Sequence, residues 1–166
     1  MSDLPSETTI NLFIERLKKL DAGDLARLKR NAGRPLAEAR DATALFYRLL
    51  PAGVAAAQEE TYFLLATLFP LAEGGAQGNL GAALRRTQSE KTQKGLDRRI
   101  DILLDADGEQ LPFRLRQTIH FIQSNRVKVN WTGLLTDLLH WNHPDRFVQQ
   151  NWARAYYAET NPPKTA

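Results

Sequence analysis

The stretch LPFRLRQTIHFIQSN, residues 111–125, sets apolar side chains at Leu111, Leu115, Ile119 and Ile122. Steps of four, four and three residues return to one face of a helix, whereas a strand repeats at every second residue. The stretch predicts an amphipathic helix with one buried side. The same period runs outward in both directions. Toward the N-terminus, Ile10, Phe13, Ile14, Leu17 and Leu20 predict a first helix that Ser6 caps and Gly23 stops. Asp24 is then placed to cap a short helix that buries Leu25 and Leu28 and ends near Gly33, and Pro35 to open another. DATALFYRLLP (41–51) and QEETYFLLATLFPL (58–71) read as two further helices, each closed by a proline that cannot extend the hydrogen-bond ladder. After AEGGAQGNLG (72–81) come LGAALRRT (80–87), LDRRIDILLDADG (96–108), with Leu96, Ile100, Leu103 and Leu104 facing inward, and the 111–125 helix. WTGLLTDLLHWN (131–142) and DRFVQQNWARAYYAE (145–159) close the chain as two more helices, and TNPPKTA (160–166) reads as a frayed tail.

No segment longer than VKVNW, residues 127–131, alternates like a strand, so the expected class is all-α. Four glycines in ten residues mark 72–81 as a loop. That loop divides the chain into an N-terminal helical subdomain, 1–73, and a C-terminal one, 80–160, with 74–79 as connector. It lacks the Lys-Ser/Thr of a phosphate-binding loop and follows a helix instead of a strand, so it reads as a plain link.

With 166 residues and 43% hydrophobic content, the chain can bury an interior without staples. It has no cysteine, which excludes disulfides, thiolate chemistry and sulfur-ligated zinc. MSDLPSETTI shows no cationic segment followed by an apolar run, and no stretch approaches the roughly 20 apolar residues that span a bilayer. The expectation is a soluble cytoplasmic protein with no membrane partner.

The formal charge is +3, from 22 basic and 19 acidic residues, and 15 of the basic residues are Arg, whose planar fork suits phosphate or carboxylate. Distribution matters more than the sum. Arg27, Lys29, Arg30 and Arg34 crowd the stretch 24–40, where like charges three apart cost roughly 0.2–0.5 kcal/mol per pair. A second cluster holds Arg85, Arg86, Lys91, Lys94, Arg98 and Arg99 against Glu90 and Asp97. A third, Arg114, Arg116, Arg126 and Lys128, contains no acid. Converging in space, the three would form a stripe able to track a phosphate backbone. Lying apart, each is a solvated face or pairs internally, as Asp24 with Arg27 or Asp97 and Asp101 with Arg98.

Catalytic constellations are lacking. His140 and His143 stand near Asp137 and Asp145 in a spacing that matches no zinc pattern, and His140 is better placed to cap the last carbonyls of its helix. Glu59 and Glu60, about 100° apart on a helix, suit its positive N-terminal end more than acid–base chemistry. His120 has no Ser or Cys arrangement near it. Trp131, Trp141 and Trp152 recur with leucines at helical spacing, which favours core packing over base stacking. No enzyme, metal or cofactor is expected.

The ordered signatures GDLARLKRNAG, FYRLLP, TYFLLATLFP, GNLGAALRR, RRIDILLDADGEQLPFRLRQTI and VNWTGLLTDLLHWNHPDRFVQQNWARAYY, together spanning roughly Ile10 to Tyr157, resemble the CasB family, the small subunit of the type I-E Cascade complex of CRISPR immunity. The resemblance implies two small helical bundles packed into one compact or slightly elongated unit, and no catalytic activity. As partners it implies other Cascade subunits, the crRNA, a second copy of itself, and target DNA including the displaced strand of the R-loop. Carried over by the family's basic positions, it implies phosphate contacts at Arg27, Arg30, Arg34, Arg85, Arg86, Arg98, Arg99, Arg114 and Arg116. Arg126 and Lys128 are added from the SNRVKVNW loop, and Arg154 reads as part of the core edge. The competing expectation is a purely structural adaptor whose basic clusters meet acidic faces of neighbouring subunits.

Overall fold

A computed structural model describes residues 7–89, 91 and 93–158 of the chain. The expected Ser6 cap and the tail 160–166 lie outside them. Helix α1, Glu7–Lys18, buries the predicted stripe Ile10, Phe13, Ile14 and Leu17. It stops at Lys18, not at Gly23. Helix α2, Ala22–Arg30, starts earlier than the sequence suggests, because Asp21 and not Asp24 is its cap: the Asp21 carboxylate accepts the Asp24 amide at 2.8 Å. Gly23 therefore falls in the first turn, where the cap decides the start. Leu28 is buried, while Leu25 and Leu104, expected inside, are only partly so.

The end of α2 is fixed by Asn31, whose side-chain amide donates to the Arg27 carbonyl at 2.9 Å and to the Asp41 carboxylate at 3.0 Å. That bond, joined by one from Arg30, holds the Asp41 carboxyl below its ordinary range. Pro35 opens only a 3-10 turn, Leu36–Glu38. Helix α3, Thr43–Leu49, precedes α4, Glu59–Leu68. Pro70 does not end α4 abruptly; the chain tightens into a 3-10 turn, Phe69–Leu71, with the proline near its start, where no N–H is needed.

Helix α4 is the central strut. Tyr62, Phe63, Leu65, Ala66 and Leu68 are buried around it, as expected of a helix enclosed on all sides. Phe13 and Phe46 meet it edge to face, with ring centroids 4.9 Å from Tyr62 and 5.2 Å from Phe63.

The second half comprises α5, Leu80–Arg85; α6, Gln93–Leu104; α7, Leu111–Ser124; α8, Trp131–Leu139; and α9, Phe147–Tyr157. Asn79 and Asn130 cap α5 and α8, each accepting an amide three residues on at 3.0 Å. No strand forms among the described residues; VKVNW contributes one isolated bridge, Gly74 with Val129. The class is all-α.

The glycine-rich loop is stitched from outside. Its flanking and internal carbonyls at Ala72, Glu73, Gln77 and Gly78 accept from Trp131 Nε1, the Val129 amide, Arg86 and Asn130. Helices α1 and α4 pack on α8, so one apolar cluster runs through both sides of the loop.

Helices α5 and α9 cross backbone to backbone. A Cβ at Gly81 would overlap the Trp152 carbonyl oxygen. From this crossing Trp152 reaches Asp137 on α8 through Nε1 at 2.7 Å, and its ring lies 5.1 Å from that of Trp141. All three tryptophans are buried, as their spacing predicts. Burial raises the Asp137 carboxyl above its ordinary value against the opposing Trp152 hydrogen bond.

Gly81→Ala should lower stability by about 3 kcal/mol, because backbone meets backbone and no side chain can yield. On a chain of this size that is a drop in Tm of roughly 6–12 °C, measurable by thermal melts. A raised folded-state pKa makes the Asp137 contribution present at low pH and lost as pH rises through the folded value. Asp137→Asn, which keeps an acceptor without a charge, should therefore be at least as stable as the parent at pH 7. Asp137→Ala should lose about 1–3 kcal/mol by leaving Trp152 Nε1 unpaired, as urea titration would measure.

Candidate nucleic-acid interface

Helix α7 turns Leu111, Leu115, Thr118, Ile119 and Ile122 inward, which leaves an outer face centred on Phe113, Gln117 and His120. Arg114 and Arg116 are two residues and so about 200° apart around the helix, on opposite flanks of that outer face. Each flank meets cations from another element. On one side Arg116 lines a hollow with Arg30, Arg34 and Phe113. On the other, Arg114 lines a hollow with Arg98, Arg99 and Gln117.

Backbone geometry sets the first flank. Gly33, with φ of 79°, turns the chain after α2, and its amide donates to the Thr67 hydroxyl at 3.3 Å. A Cβ there would sit 3.4 Å from the Pro112 carbonyl, so the turn lies hard against the first turn of α7 and carries Arg34 beside Arg116. Arg30 also forms an exposed pair with Asp41 at 3.4 Å, which relieves part of the repulsion in its cluster. The acid there is Asp41 across the turn, not Asp24. On the second flank Arg99 lies over the Phe121 ring, 4.4 Å from its centroid, a cation–π contact that holds it on α7. Asp97 is taken by the Tyr156 hydroxyl at 2.6 Å. His120 stands near the first flank; partial burial, then Arg116 and Lys29, lower its pKa below the ordinary value.

Six of the predicted positions thus gather around α7: Arg30, Arg34, Arg98, Arg99, Arg114 and Arg116. Arg27 is exposed on α2. Arg85 and Arg86 lie at the end of α5, outside both hollows; Arg85 donates to the Tyr156 carbonyl at 3.0 Å and Arg86 to that of Gln77 at 3.1 Å. Arg126 is exposed in the turn that follows α7, with φ of 59°, and Lys128 is exposed beside Gly75. Arg154, expected at the core edge, is exposed and bonded to Asn151.

Phe113, which lines the first hollow, was not among the predicted contacts, nor was Lys29, which lies near enough to His120 to lower its pKa. The signal for Phe113 was present, since it falls off the 111–115–119–122 stripe.

His140 Nδ1 donates to the Thr136 carbonyl at 2.9 Å, the expected cap, and Glu59 and Glu60 sit in the first turn of α4. Among the described residues no three of His, Asp and Glu converge as metal ligands, and no helix is long and apolar enough to cross a membrane.

Residues 24–157 match the family model of the CRISPR-associated protein Cse2. A CRISPR-associated protein Cse2 from Thermus thermophilus is 38% identical over 102 residues, 60% of this chain and 57% of the length of that relative. The crystal structure of M. ruber CasB superposes with a TM-score of 0.75 at 30% identity, covering 92% of this chain and 94% of the other. A chain of a CRISPR RNA-guided surveillance complex shares the fold at a TM-score of 0.76 and 20% identity, over 90% of this chain and 92% of its own. With the family model matched from α2 to the end of α9, the chain belongs to the Cse2 family of CRISPR-associated proteins.

Proposed function

We propose that the chain is a non-catalytic subunit of a cytoplasmic CRISPR surveillance complex and that it holds nucleic-acid backbone across α7 without reading sequence. The observation that carries this is the placement of Arg30, Arg34 and Arg116 on one flank of α7 and Arg98, Arg99 and Arg114 on the other. Cations from three separate stretches lie around one exposed helix face. Guanidinium groups grip phosphate oxygens, which every nucleotide offers, so such contacts position a strand and carry no base information. The likeness of fold to a chain of an RNA-guided surveillance complex supports the setting, with other subunits and the guide RNA as partners.

In that setting the bound anion is target DNA, including the strand displaced when guide RNA pairs with its complement. Exchanging a DNA duplex for an RNA–DNA hybrid is nearly balanced, so a few backbone contacts tip it toward the open R-loop. A second copy of the chain beside the first would lengthen the path. Arg126 and Lys128, exposed just past the C-terminal end of α7 and outside both hollows, would add phosphate contacts away from the crossing.

Arg98→Gln with Arg116→Gln in the full chain removes one cation from each flank. For single-stranded DNA, the slope of log K against log salt should become shallower by about 1.4, with helical CD and Tm unchanged. Salt-independent binding, or an unaltered slope, would overturn the reading. A variant that binds DNA normally but no longer enters the assembled complex would favour the adaptor role instead. In NMR titrations His120 should titrate below the ordinary histidine value of about 6.5. It should rise when an oligonucleotide neutralises Arg116 and Lys29, and also in Arg116→Gln alone, because both changes remove repulsion of the imidazolium.

A further inference from the structure

We infer that Phe113 is a stacking platform for one unpaired nucleotide base where a strand crosses α7; this rests on the phosphate-holding reading above. Phe113 is 54% exposed, the most exposed of the large apolar side chains in the described structure. A single exposed apolar residue is ordinary, so its surroundings decide. Arg114 lies over its ring at 5.4 Å from the centroid, on the side of the Arg98 and Arg99 hollow. The ring itself lines the other hollow with Arg30, Arg34 and Arg116. An aromatic surface thus stands between two groups of cations on one helix.

That order is what a single strand needs. The outer width of a helix is about 10–12 Å, so a strand rising about 3.4 Å or more per nucleotide passes two or three nucleotides over α7. Phosphates bound on the two flanks leave a base over the middle, where Phe113 stands. Every base has a π-face, so stacking adds affinity without sequence preference, and Arg114 on the ring adds a cation–π contribution. A duplex, whose bases are already stacked, gains nothing from it. Trp131, Trp141 and Trp152 are buried and cannot serve. Phe121, the neighbouring aromatic of α7, is partly buried and offers less open ring surface.

Phe113→Leu and Phe113→Trp in the full chain test this by fluorescence anisotropy on oligothymidine, oligouridine, an abasic strand of the same length, and a DNA duplex. Phe113→Leu should weaken binding to a base-bearing single strand about five- to tenfold, the lower part of the range for one stacked base. It should leave the abasic strand, the duplex and the salt slope unchanged, and Phe113→Trp should restore or exceed the parent affinity. A loss on oligothymidine but not oligouridine identifies DNA as the occupant, and the reverse identifies RNA. Equal affinity of Phe113→Leu and the parent for base-bearing strands, or an equal loss on the abasic strand, overturns stacking while the phosphate reading stands. A parent chain that binds none of the four overturns both.

Discussion

Backbone-to-backbone contact between α5 and α9 at Gly81 and Trp152 is the constraint from which the second half of the molecule hangs. Only a residue without a Cβ permits that approach. Once α9 lies so close, Trp152 reaches α8 through Asp137, Tyr156 reaches α6 through Asp97, and Arg85 returns from α5 to the Tyr156 carbonyl. Helix α6 is thereby held against α7, and Arg98 and Arg99 come to lie beside Arg114. One small residue in a six-residue helix conditions the position of cations on a different face of the fold.

The interface depends on helices used as spacers. Arg114 and Arg116 would repel if they shared a side, but a separation of about 200° divides them between two flanks. Each then meets cations carried by an independent element: a glycine turn brings Arg34, and a cation–π contact holds Arg99. Charge is concentrated without a continuous run of like residues along any one helix. Asp41 tempers one end of the surface through Arg30 and is itself kept ionised by Asn31, a buried side chain that also closes α2.

The helices were legible because their apolar periods are strong. The stripes of α1 and α7 and the three tryptophans lie where spacing puts them. Helix ends were less so: Asp21 and Asp24 are both adequate caps in sequence, and only the closing hydrogen bond separates them. Pro70 shows the same limit, since a proline forbids continuation of an α-helix but not a tightening into a 3-10 turn. For the interface, residue type was readable and convergence was not. Arg85 and Arg98 belong to one cluster along the chain, yet only Arg98 joins the cations around α7, because that outcome depends on long-range packing of α5 on α9. Phe113 was legible as lying off the buried stripe, but its place between two groups of cations was not, because that too depends on long-range packing.

The stitched loop at 72–81 has a consequence for modularity. By composition it is the place to cut the chain, tag it or permute it, and tolerance to such changes follows from how the backbone is bonded, not from how many glycines it holds. Here four carbonyls from Ala72 to Gly78 are already engaged by Trp131, Val129, Arg86 and Asn130. A break would strip donors of their acceptors on one side and expose the shared apolar cluster on both. The segment that looks most like a hinge works as a seam, bonded along its length and flanked by one shared apolar cluster.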